Sequence, residues 1–226
     1  MTVPVITVDG PGGAGKGTLS YSLARELGWH MLDSGALYRV TALAALRSAT
    51  EISDELAVAR IARSLKLSFI PAAEGLTQVL LDGEDISAAI RTESCGAAAS
   101  KVAAMGEVRA ALLERQRQMA IAPGLVADGR DMGTVVFPAA PLKIFLTASA
   151  EARAERRYLQ LMEKGESVTL ARLLETIEER DSRDRNRVES PLVPADDALV
   201  IDSTGISASA VLDTVLREAR NRQLIS

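Results

Sequence analysis

Glycines, one lysine and one threonine crowd a short segment near the start of the chain. It reads Gly10-Pro11-Gly12-Gly13-Ala14-Gly15-Lys16-Gly17-Thr18. The pattern GxxxxGK follows an apolar run, VITV within 3–8, and opens a stretch carrying Leu19, Leu23 and Leu27 on one stripe before Gly28. A strand, a tight turn and a helix start in that order aim the backbone N–H groups of residues 12–18 at phosphate oxygens. The positive end of the helix dipole adds to them. Glycine lets the backbone approach without a Cβ, and Lys16 supplies a charge for the β and γ phosphates. The common form of this loop places Ser or Thr directly after the lysine, as a ligand for Mg²⁺. Here Gly17 stands there and the hydroxyl comes one place later, at Thr18.

A second anion would need cations of its own, and several segments offer them. DGRDMGT, 128–134, follows an apolar run and puts Arg130 and Asp131 at a strand's carboxyl edge. LDSGALYR, 32–39, places Ser34 at a helix start with Tyr38 and Arg39 in the first turns. In LARLLETIEERDSRDRNR, Leu170, Leu173, Leu174 and Ile177 form one stripe at about 100° per residue. Arg180, Asp184 and Arg187 continue its edge, while Arg183 and Arg185 point elsewhere. Such a stripe describes the wall of a polar cleft. It equally describes a solvated helix end, since five acids in 178–189 can pair with four arginines. The charged helix predicted over 150–164, with Arg153, Arg156 and Arg157, fits a mobile lid or an ordinary surface helix.

The elements that must position these residues follow from the apolar runs. VITV, HMLD (30–33), GLVAD (124–128), LKIFLTA (142–148) and ALVID (198–202) read as strands separated by helices. That order predicts a parallel sheet with helices on both faces, binding ligands beyond the strands' carboxyl ends, where Asp9, Asp33, Asp128 and Asp202 fall. Ser53 is expected to cap a helix over 54–65. Residues 67–86 break the rhythm as short strands joined by turns at Pro71–Gly75 and Asp82–Gly83, a small antiparallel insert. The 226 residues, 47% apolar and 25% charged, suffice for one sizeable core. A net charge of −4 argues against a nucleic-acid surface, although 21 of the 26 basic residues are arginines, suited to bidentate phosphate capture. The lone Cys95 and lone His30 leave no internal disulfide, Ser-His-Asp triad or histidine metal site, and both are expected to be structural. No apolar run approaches the roughly 20 residues of a membrane span, and no leader is recognised, so a cytoplasmic monomer is expected.

GKGT in this position resembles the nucleoside monophosphate kinases, a branch of P-loop proteins. The whole chain resembles bacterial cytidylate kinases. The resemblance rests on GPGGAGKGT, LDSGALYR, GEDISAAIRTE, ASKVAA, VRAALLERQR, DGRDMGTVVFP, KIFLTAS, ERDSRDRNR and PLVPADDALVIDST. It implies an α/β fold: a parallel five-stranded P-loop kinase core over about 1–33, 88–149 and 167–226. A monophosphate-binding region with the β insert takes about 34–87, and a short helical lid about 150–166. The implied reaction moves the γ-phosphoryl group of ATP to CMP or dCMP, with Mg²⁺ held through water by Thr18 or Asp33. Gly10 to Thr18 then bind ATP. Ser100, Arg109 and Asp131 read cytosine, whose N4 amino group suits the aspartate. Ser34, Arg39 and Arg130, with Tyr38 beside them, take the CMP phosphate; Arg180 and Asp184 take the ribose; Arg187 bridges the phosphates. Lys16, Arg130, Arg180 and Arg187 are the expected catalytic cations, and Arg153, Arg156 and Arg157 the lid's. The alternatives are a kinase for another nucleoside monophosphate and a P-loop nucleotide switch.

Overall fold

The computed structural model describes residues 3–70, 78–163 and 165–225. It divides into two compact units, one formed by the chain up to Leu32 together with everything from Met119, the other by Asp33–Gln118.

The first unit is built on a five-stranded sheet in the order β2-β6-β1-β7-β8. The strands are β1 (Val5–Asp9), β2 (His30–Asp33), β6 (Leu125–Asp128), β7 (Leu142–Thr147) and β8 (Leu199–Asp202). β1 pairs in parallel with β6, Val8 opposite Asp128, and with β7, Asp9 opposite Phe145. All five residues of β1 are buried, as expected for a central strand covered on both faces by helices. Helices α1 (Lys16–Leu27) and α8 (Ala208–Asn221) bring Leu19, Leu23, Val211 and Val215 into a core with Ile6, Val8, Ile144 and Leu146. Gly28 ends α1 in the left-handed conformation, its N–H on the carbonyls of Ala24 and Arg25. α6 (Ala150–Glu163) and α7 (Leu170–Asn186) pack on one another, and Thr169 caps α7 by accepting the Arg172 N–H.

The second unit holds α2 (Ser34–Arg47), α3 (Glu55–Ser64), α4 (Glu93–Val102), α5 (Gly106–Gln118) and a three-stranded antiparallel sheet. Its strands are β3 (Leu67–Ile70), β4 (Gln78–Leu81) and β5 (Glu84–Asp85). Asp82 and Gly83, both at positive φ, make the β4–β5 turn. The turn expected at Pro71–Gly75 lies outside the described residues. Asp54, rather than Ser53, caps α3 by accepting the Ala57 N–H at 2.9 Å. A carboxylate adds charge attraction to the helix dipole, which a hydroxyl lacks. Cys95 packs in this unit's core beside Ile86 and Ile90, and α4 and α5, residues 93–118, group with the small sheet rather than with the large one.

Candidate active site

β1 delivers the chain to the phosphate loop, and the first residue past it has little choice. Gly10 sits at φ 144, where a Cβ would lie 1.9 Å from the Leu146 carbonyl oxygen. A side chain there would push β1 off β7. The loop wraps back so that the buried Lys16 donates from Nζ to the Pro11 carbonyl at 3.0 Å, with Asp128 Oδ1 3.9 Å away. Two more side chains hold the loop's carbonyls. Ser203 Oγ donates to Ala14 O at 2.9 Å, and Arg153 Nη1 to Gly12 O at 3.0 Å. The loop's carbonyls at Pro11, Gly12 and Ala14 are thus each held by a side chain.

A cavity of about 460 Å³ opens on this loop. Gly13 to Leu19 form one wall, and Arg153, Arg156, Arg157 and Gln160 of α6 another. Ser203, Ile206, Ala208 and Val211 close it with a mainly apolar surface. Its lining joins phosphate-type donors to apolar side chains, the two chemistries that a nucleoside triphosphate presents.

Two of the cations expected from the sequence, Arg130 and Arg180, stand beside Gly12. A Cβ on Gly12 would lie 3.4 Å from Arg130 Nη2 and 3.6 Å from Arg180 Nη1. Arg130 Nε donates to Asp184 Oδ2 at 2.9 Å. Burial pushes the Asp184 carboxyl up, but Arg130, Arg180 and Arg187 outweigh it and hold the group below the ordinary carboxylate range. Arg187, the residue ending α7, turns its Nε onto the Ser190 carbonyl. The α7 stripe runs only in part as the periodicity indicates: Leu173, Leu174 and Ile177 are half-buried, Asp184 is buried, and Arg183 and Arg185 are exposed, but Leu170, at the start of the helix, is 43% exposed.

Burial, reinforced by repulsion from Arg130, lowers the Lys16 ammonium from 10.5 to about 8, against the pull of Asp128. Asp9 moves the other way, from 3.8 to about 6, because it is buried beside Asp131. Its carboxylate accepts the N–H groups of Met132 and Gly133, each at 2.8 Å, at the start of a short π-helical turn, Met132–Val136. Asp131 itself is buried at the head of that turn.

In the second unit, Ser34 Oγ donates to Gln116 Oε1 at 2.6 Å, and Arg39 Nη1 to Ile90 O at 2.7 Å. A Cβ on Gly96 would come within 3.1 Å of that Arg39 nitrogen. Arg109 Nη1 donates to Ala103 O at 3.0 Å, with its guanidinium carbon 5.7 Å from the Tyr38 ring centre. Ser100 and Arg109 are both buried. Asp33 caps α2, accepting the Ala36 N–H at 3.0 Å.

Sequence reasoning passed over three residues that the structure brings to the site. Asp181 is buried and holds Arg153 through both carboxylate oxygens. It stands four residues after Ile177 and seven after Leu174, on the stripe itself, so helical periodicity was a signal that could have found it. Ser203 sits just after β8, and its link to Ala14 spans 189 residues. Asp128 was visible as a strand-end acid. Its place beside Lys16, and 3.7 Å from where a Gly17 Cβ would stand, comes only from the sheet.

Comparison with known proteins gives this geometry a family. The family model described as Cytidylate kinase matches residues 6–221. A cytidylate kinase of Shewanella frigidimarina is 61% identical over 214 residues, 94% of this chain and 93% of its own. That of Serratia proteamaculans is 60% identical over 96% of this chain and 95% of its own. That of Klebsiella pneumoniae is 56% identical over 99% and 98%. Matches of that extent span both units, and the chain belongs to the cytidylate kinase family.

Proposed function

We propose that the chain transfers the γ-phosphoryl group of ATP to CMP or dCMP, yielding ADP and CDP or dCDP. The observation that supports this best is the meeting of Lys16, Arg130 and Arg180 at the phosphate loop, on a chain 56–61% identical to several cytidylate kinases. Lys16, Arg130 and Arg180 make three cations at one loop. They suit two phosphate chains and the charge that moves between them.

ATP takes the cavity on the loop, its β and γ phosphates against the N–H groups of residues 12–18 and Lys16. Arg153, Arg156 and Arg157 of α6 all line that cavity, on the side the triphosphate would take. The CMP phosphate draws on Ser34, Arg39 and Arg130, with Tyr38 beside it. Arg180 and Asp184 take the ribose, Ser100, Arg109 and Asp131 the cytosine, and Arg187 the phosphates in transit. A CMP phosphate oxygen attacks the γ phosphorus in line. The bond from γ phosphorus to the bridging oxygen breaks, and ADP leaves carrying that electron pair. No proton transfer and no covalent enzyme intermediate are needed.

The donor set fits Mg²⁺, which favours oxygen ligands and is usually carried by substrate phosphates with one or two protein groups. Thr18 faces the cavity and Asp128 lies beside Gly17, whereas Asp33 is engaged as a helix cap. Thr18 and Asp128 would hold the ion, directly or through water, and the ion would supply neutralisation of β- and γ-phosphate charge. Among the described residues no helix is long and apolar enough to cross a membrane. We place the enzyme in the cytoplasm as a monomer acting on free nucleotides.

An ADP-release assay with ATP, Mg²⁺ and CMP, dCMP, UMP, AMP or GMP in turn tests this reading. Turnover with CMP or dCMP well above the others is expected. Preference for another base would contradict it.

A further inference from the structure

Asp9 is an acid that neither the loop motif nor the cation cluster accounts for. It is the last residue of β1, immediately before the phosphate loop, and is 5% exposed. Both carboxylate oxygens are used. Oδ1 accepts from Met132 N–H and Oδ2 from Gly133 N–H, each at 2.8 Å. These are the first two residues after Asp131, so one side chain joins the root of the phosphate loop to the turn that carries Arg130 and Asp131. The approach is close. A Cβ at Gly133 would lie 2.9 Å from Thr7 Oγ1, 3.1 Å from Lys143 Cδ and 3.3 Å from Asp9 Oδ2. Glycine at 133 is what lets the turn settle on the carboxylate. Burial raises the Asp9 carboxyl to about 6, Asp131 adds to the rise, and the two N–H groups and Lys16 oppose it.

We infer that Asp9 is a positioning residue for acceptor selection: its carboxylate sets the Arg130–Asp131 turn against the phosphate loop, so that Asp131 meets the cytosine amino group and Arg130 the acceptor phosphate. The inference rests on the reading of Asp131 as a cytosine contact. Asparagine is the same size but offers one acceptor oxygen, and its amide nitrogen would face an N–H. The turn would then lose one of its two anchors, while Gly10–Thr18 keep the carbonyl ties to Lys16, Arg153 and Ser203.

The test compares wild type, Asp9→Asn, Asp131→Ala and the double variant. The measurements are kcat/KM for CMP and for UMP with ATP, and ADP affinity by calorimetry. Asp9→Asn is expected to lower the CMP-to-UMP ratio about tenfold, as for loss of one well-placed hydrogen bond, with ADP affinity held within about threefold. The double variant should discriminate no worse than Asp131→Ala alone, because the two act through one contact. An unchanged ratio in Asp9→Asn, a further full tenfold loss in the double variant, or ADP affinity falling in step with activity would each overturn the assignment. If Asp9→Asn does not fold, Gly133→Ala applies the test from the other side by crowding the turn off the carboxylate, with the same ratio expected to fall. Wild type without CMP turnover would instead defeat the proposed function itself, a result distinct from any of these.

Discussion

Lys16 carries a conflict that its position makes unavoidable. It must be charged to draw phosphate oxygens, yet it is buried and stands near Arg130 and Arg180. A fall from 10.5 to about 8 means that at neutral pH the folded protein bears a cost of roughly 3 kcal/mol for keeping this ammonium protonated. The folded state sheds the proton at a lower pH than the unfolded state. The cost is therefore full below about 8 and is relieved as pH rises from there towards 10.5. Lys16→Met should abolish turnover and raise stability at pH 7. Its advantage over wild type in thermal melts should shrink between pH 8 and 10; a variant less stable than wild type at pH 7 would contradict this. Asp131 poses a question of selectivity. Under the proposed function it would accept from the amino group of cytosine and face a carbonyl on uracil, so Asp131→Ala should narrow the CMP-over-UMP preference by about 1–3 kcal/mol. Equal ratios in wild type and variant would remove it from base reading.

At the scale of elements, α6 was the segment whose role the sequence left open. Its charges fit a lid or a surface equally, because side-chain composition does not reveal which arginine turns inward. The structure separates them. Arg153 is 2% exposed and bound to Asp181, to the Gly12 carbonyl and to the carbonyls of Ala148 and Ser149. It is a rivet between α6, α7 and the phosphate loop. Removing one member of a buried ion pair strands the other, so Asp181→Ala should cost about 3–5 kcal/mol in denaturant unfolding. Arg153→Met with Asp181→Leu should regain part of that, and only part, since three carbonyls still lose their donor. A loss below about 1 kcal/mol for Asp181→Ala would show that the pair is idle. Helix α1 was legible where its stop is local chemistry, at Gly28. α3 was misread by one residue because serine and aspartate compete for the same role.

For the molecule as a whole, legibility followed sequence separation. The phosphate loop is read from nine consecutive residues, and the strands from their uninterrupted apolar character. The α7 stripe came from periodicity. The pairings that escaped notice, Asp9 with Met132, Ser203 with Ala14 and Arg153 with Asp181, act across 123, 189 and 28 positions. Such partnerships exist only once the sheet order is set, and a parallel sheet with crossovers is what brings them together. The extent of the second unit was hard to read for the same reason. Helices α4 and α5 carry no mark of which sheet they join until α3 packs on α5 and α2 on α4.

The reaction is tested most directly by following the phosphoryl group. With ATP labelled at the γ phosphate, Mg²⁺ and CMP, the label should appear in CDP, with inorganic phosphate remaining a trace product in the presence or absence of acceptor. Label released as inorganic phosphate at a rate indifferent to CMP would mark a nucleotide hydrolase and contradict the account.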